Sequence, residues 1–190
     1  KALRDKSYIL YLENNIKDSK YYAISALKIN KKDYFLNNVI GLLNFDEKKY
    51  YEAIKYFNKA IEFNKDYIDA YNNLGNCYYE LEDFKNSFLN YKKAYHLNKN
   101  NLNSIINISN ILSLKNKYKF VISILSKSLK KYPNNTKVLF NLCLCYFKTK
   151  DTTNSKKYFK KLIKIEPNNE DLKYAYSTYN LSIGNFSEAW

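Results

Sequence analysis

The stretch Tyr71–Phe84 reads YNNLGNCYYELEDF. Tyr71, Leu74, Gly75 and Tyr78 stand at i, i+3, i+4 and i+7, the spacing of one buried helix face. Yet Asn72, Asn73 and Asn76 lie in the same helix. The short asparagine amide competes with the backbone for hydrogen bonds and weakens a helix interior. Either composition forces these residues on the chain or they have a use.

The stretch belongs to a series. Gly75 and Gly41 are 34 apart, and so are Phe84 and Tyr50, Tyr91 and Phe57, and Ala94 and Ala60. At the same step Pro133 meets Pro167, Leu125 meets Phe159 and Ile108 meets Leu142, without insertion or deletion. A second helical stripe follows the first, at Ser87, Tyr91, Ala94 and Tyr95. One such helix pair cannot bury its stripe alone, so neighbouring pairs stack into a solenoid. The units run 1–33, 34–67, 68–101, 102–135 and 136–169, with a partial unit at 170–190. Residues 1–190 are therefore read as a single array, a slice of a longer protein.

Composition points the same way. With 3 glycines and 2 prolines in 190 residues, an all-β sandwich lacks its turn residues, and 46% hydrophobic residues supply a core. The abundance of Lys, Asn, Tyr and Ile suggests a codon bias toward adenine and thymine, which lowers the weight of the net charge of +14. Three cysteines outside any Cys-rich framework are expected to be reduced thiols in a cytoplasmic protein. No apolar run reaches bilayer length and no signal peptide is visible.

The period, together with Tyr71, Leu74, Gly75, Tyr78, Ser87, Tyr91 and Ala94, resembles the tetratricopeptide repeat, a helix–turn–helix unit that recurs at this same step. Pro133 and Pro167 stand at the family's helix stop, which Lys31, Lys65 and Lys99 occupy elsewhere. The resemblance implies an all-α, right-handed superhelical solenoid whose first helices line a concave groove.

No chemistry-bearing constellation competes with this reading. His96 is the only histidine and has no orienting partner, no Gly-rich phosphate loop exists, and Cys77, Cys143 and Cys145 occupy inward columns. The segment is expected to be non-catalytic, with no cofactor and no metal. Most lysines, among them Lys92, Lys127, Lys156 and Lys160, lie on second helices, the convex side in the implied fold. A phosphate-tracking groove requires the opposite distribution. Nucleic-acid and membrane binding are not expected.

Asn73, Asn107 and Asn141 share one column, and Asn76 with Asn110 form a second, one turn along. In the implied fold both line the groove, with Asn72 and Asn103 beside them. An amide offers donors and an acceptor, so a row of amides matches the backbone of an extended peptide. A similar ladder marks the superhelical repeats of O-linked N-acetylglucosamine transferase. Asp5, Val39 and Ala175 interrupt the column, and filling by composition is the competing reading. Tyr11, Phe45, Tyr79 and Phe147 form an aromatic column on the same face, broken by Ser113. Asn103 with Asn107 and Lys137 with Asn141 give an incomplete version of the Lys/Arg clamp by which related repeats hold chaperone C-termini. The leading expectation is a scaffold holding an extended polypeptide or partner protein. The alternative is a substrate-recognition module of a larger glycosyltransferase, since LSIGNFSEAW at 181–190 resembles the end of such arrays. Apolar stripes at the two ends leave self-association open.

Overall fold

The structure is a computed structural model and describes residues 2–184. Phe186, Ala189 and Trp190, which carry the glycosyltransferase resemblance, lie outside the described residues. Eleven α-helices form among the described residues, and no strand. The first helices of each pair are α1 (Ala2–Leu12), α3 (Tyr34–Asp46), α5 (Ile68–Glu80), α7 (Leu102–Leu114), α9 (Thr136–Lys148) and α11 (Glu170–Ser182). The second helices are α2 (Ile16–Ile29), α4 (Tyr50–Phe63), α6 (Phe84–Leu97), α8 (Tyr118–Lys131) and α10 (Thr152–Ile165). From α2 and α3 onward, successive helices of each class begin 34 apart, as the sequence period predicts.

The turn inside each pair explains this regularity. Asn14, Lys48, Glu82, Asn116 and Lys150 all have φ between 56° and 63°, and Gly184 has φ 74°. These residues are again 34 apart. The following N–H bonds back to the helix, as in Lys49 N to Asn44 O at 2.8 Å and Asp83 N to Tyr78 O at 2.8 Å. This is the left-handed helix stop that glycine adopts most readily. Asn, Lys and Glu adopt it here at a steric penalty.

The turns between pairs use two different devices. Asn30, Asn64 and Asn98 each accept the N–H of the residue two further on, at 3.2, 3.1 and 2.9 Å. These side chains mimic a backbone turn. Where that column changes to Tyr132 and Glu166, the next residue is Pro133 or Pro167, whose ring fixes φ instead. Asparagine and proline thus serve as two solutions to one bend.

The helices group into two compact units, the first ending at Ser104 and the second starting at Ile105. In the first, Ala23, Ala26, Leu36, Val39, Ile40 and Leu43 form one buried cluster, and Ala53, Phe57, Leu74 and Cys77 another. Gly75 has no room for a side chain: a Cβ there would lie 2.5 Å from Cε1 of Tyr91. Gly41 meets the Phe57 ring in the same way. In the second unit Leu139, Cys143, Phe159, Leu162, Leu172 and Tyr179 form the core. Ser109 and Cys143 take the small-residue column there, both fully buried. Ser19 Oγ donates to Ser7 O at 2.8 Å, and Ser155 Oγ makes the corresponding bond to Cys143 O at 3.0 Å. Ser87 occupies the same column, but among the described residues its buried Oγ, which lies near the Tyr91 hydroxyl, has no hydrogen bond of good geometry.

Candidate functional site

Within the first unit, Tyr11 of α1, Leu42, Phe45 and Asp46 of α3, Phe57 of α4, and Asn73 and Asn76 of α5 line a cleft of about 120 Å³. Apart from Phe57, every lining residue comes from a first helix. The cleft therefore brings together four residues predicted from columns alone: Tyr11, Phe45, Asn73 and Asn76. Asp46 was not anticipated. It ends α3 at the position that Glu80 holds at the end of α5.

The amides are tied across repeats. Asn73 Nδ2 donates to Oδ1 of Asn38 at 2.9 Å, linking α5 to α3. Asn38 is buried, 4% exposed. Asn76 Oδ1 accepts the Tyr91 hydroxyl at 2.8 Å. The tyrosine ring that excludes a side chain at Gly75 thus ends on the next residue of α5. In the second unit, Asn141 Nδ2 donates to Asn110 Oδ1 at 2.9 Å, linking α9 to α7. Asn107 is half-buried on α7, and it is engaged as well.

Asn72 departs from the groove expectation. It is 5% exposed, donates to Asn101 Oδ1 at 3.3 Å and accepts Ser104 Oγ at 3.0 Å. Asn101 in turn accepts the Ser104 N–H at 2.9 Å. The physical reason is rotation: successive helix residues point about 100° apart, so Asn72 and Asn73 cannot share a narrow face. Asn72 fixes the entry to α7. Asn103, on the first turn of α7, is exposed. Sequence reasoning also missed Asn38, although it stands one full repeat before Asn72 and the column was there to be read.

The aromatic column has a packing role of its own. Phe45 meets Tyr50 at 5.4 Å and Tyr79 meets Phe84 at 5.5 Å, closing the turn within each pair. Phe147 meets Tyr179 edge-on at 5.5 Å. Part of each ring is therefore committed to its neighbour, and the remainder faces outward from a half-buried position.

Charge gives the cleft a sign. Helices α1, α3 and α5 have no basic residue in their last turn, where the carbonyl ends carry partial negative charge. Glu47 is paired with Lys49 at 2.6 Å and Lys20 at 2.9 Å, which holds its carboxyl below the usual range. Asp46 instead lies beside Tyr11 in the cleft. Burial, and then Asp46, push the Tyr11 hydroxyl up to about 12. No cation is paired with Asp46 among the described residues.

The thiols are packing groups. Burial raises Cys77 to about 12 and also pushes Cys143 and Cys145 upward, which suppresses the reactive thiolate. Among the described residues no group of three His, Cys, Asp or Glu side chains converges. No helix among them is long and apolar enough to cross a membrane.

Comparison with known proteins agrees with the geometry. A TPR-repeat profile matches residues 41–82, and tetratricopeptide-repeat profiles match 68–101 and 136–169. No curated protein matches the chain significantly. Among solved structures, PilW, a type IV pilus biogenesis factor, superposes with a TM-score of 0.88 at 16% identity, covering 99% of this chain and 87% of its own. PilF of Pseudomonas aeruginosa gives 0.86 at 15% identity, covering 99% and 86%. YrrB, described as a TPR protein with an unusual peptide-binding site, gives 0.69 at 18% identity, covering 92% and 90%.

Proposed function

Because this chain belongs to the tetratricopeptide-repeat family, we propose that it is a non-catalytic scaffold that holds an extended polypeptide against its first helices. One observation carries the reading: the cleft of the first unit, where amides of α5 stand beside rings of α1 and α3. The bond to Asn38 uses one of the two donors of Asn73. The second N–H and the carbonyl remain to meet the alternating C=O and N–H groups of an extended backbone. The Tyr11 and Phe45 rings supply contact area at little cost in rotamer entropy. The peptide-binding site described for YrrB supports the reading by analogy of fold. In the second unit Asn141, in the column of Asn73, pairs with Asn110, in the column of Asn76.

The test is binding to an array of unstructured peptides, comparing the parent with a variant carrying Asn73→Ala, Asn107→Ala and Asn141→Ala. Circular dichroism establishes that the variant retains its helices. The proposal expects array peptides to bind the parent and to lose at least about tenfold in affinity for the variant, the equivalent of one or two hydrogen bonds. Equal binding by parent and folded variant contradicts it.

A further inference from the structure

The cleft of the first unit has features that a merely backbone-reading surface does not need. Its walls include three aromatic rings, Tyr11, Phe45 and Phe57, and its rim includes one carboxylate, Asp46. Two neighbouring cations, Lys20 and Lys49, close on Glu47, one residue further on, and Lys48 forms no ion pair with Asp46 among the described residues. The C-terminal carbonyls of α3 add partial negative charge at the same rim, with no basic residue in that turn to offset it. Asn73, which also lines the cleft, has its amide carbonyl as a further acceptor, since its bond to Asn38 uses only Nδ2.

We propose that this cleft is the seat of an arginine side chain of the bound polypeptide. An aromatic ring attracts a flat guanidinium by cation–π interaction, and arginine retains its stacking when partly desolvated. Its five N–H donors match a carboxylate and amide carbonyls arranged around one small volume. A lysine ammonium takes the charge but not the stacking, and binds more weakly. A neutral or acidic side chain leaves Asp46 facing an apolar group or a like charge. The chemistry selects a basic segment, although the chain as a whole carries a net charge of +14. This assignment rests on the scaffold reading for its biological sense, but the cleft itself is testable without any peptide.

The probe is N-acetyl-arginine N-methylamide, followed by NMR on the backbone amides around Asp46 and the side-chain amides of Asn73 and Asn76. Its neutral isostere, the citrulline derivative, is the control. The arginine derivative should shift these resonances with an affinity roughly tenfold above that of citrulline, and Asp46→Asn should bring the two together. Asp46 is exposed, so the variant is expected to keep its helix content, which circular dichroism checks. A second arm places Arg, citrulline or Glu at the centre of one array peptide. If peptides bind without preference and Asp46→Asn changes nothing, the arginine seat is overturned while the scaffold reading stands. If the arginine derivative occupies the cleft but no peptide binds, the seat stands and the scaffold reading fails.

Discussion

The two units use one frame and opposite edges. In the first unit the turns inside the helix pairs carry Glu13, Asp46, Glu47, Glu80, Glu82 and Asp83 against Lys48 and Lys49. In the second the same columns carry Lys115, Lys117, Lys148 and Lys150 against Asp151. The inversion is not local. Residues 84–150 contain thirteen lysines and no Asp or Glu. Codon bias alone does not explain it, because it acts on the whole chain, and all 18 Asp and Glu residues lie outside 84–150. Helix starts, turn geometry and the small-residue column survive this change of charge intact. Packing fixes the frame, and the edge charges are free to serve recognition.

The frame can be broken first where it is tightest. Gly75→Ala drives a methyl into the Tyr91 ring, and Gly41→Ala does the same at Phe57. Each should destabilise by about 2 kcal/mol in chemical denaturation, even after the helix-propensity gain of alanine. Ser109→Ala, in the same column of the second unit, already has a Cβ and loses only the bond from Ser109 Oγ to Ile105 O. It should cost about 1 kcal/mol or less.

Helix caps sharpen the comparison. Asn15, Asp83 and Asp151 cap α2, α6 and α10 with their side chains, whereas Lys49 and Lys117 leave α4 and α8 uncapped. Lys117→Asp should add about 1 kcal/mol of stability, read from the denaturation midpoint. Glu82→Gly should add a comparable or smaller amount, since φ of 57° suits glycine. A third pair tests the serine column. Ser155→Ala removes a buried bond and should cost about 1 kcal/mol, while Ser87→Ala removes a hydroxyl with no well-formed bond and should be neutral or stabilising.

The smallest expected effect depends on pH. The Asn86 backbone N–H and side chain hold the Asp83 carboxyl below its usual range. The Asn154 side chain and backbone N–H do the same for Asp151. A carboxyl lowered on folding stabilises the protein above its unfolded pKa of about 4, and loses that contribution as pH falls toward the folded value. Asp83→Asn, still a capping residue, should flatten the acid limb of a stability-versus-pH curve and leave neutral pH almost unchanged. An unchanged acid limb would remove Asp83 from the account.

Much of this was legible in the sequence, because a gapless period of 34 converts every residue into a column. The helix pairs and the glycine contacts follow from columns alone, and the columns put Tyr11, Phe45, Asn73 and Asn76 on the first helices without saying that they share one cleft. The left-handed turn does not, since Lys48 and Glu82 do not advertise a positive φ as glycine would. Nor do columns say which amide reaches which. The bonds Asn73–Asn38 and Asn141–Asn110 span 35 and 31 residues, so they join different columns, and only side-chain direction decides them. The asparagines of YNNLGNCYYELEDF therefore have separate tasks: Asn72 anchors the next helix, Asn76 receives Tyr91, and Asn73 divides its amide between Asn38 and the cleft.

Where a bound polypeptide lies distinguishes the first-helix face from the second-helix face. A photo-crosslinking residue, p-benzoylphenylalanine, placed at Phe45 in the cleft should capture an array peptide that binds the parent. The same residue at Tyr51, which is 71% exposed on α4, should not. Capture at Tyr51 alone, or equally at both positions, would contradict the proposed binding face.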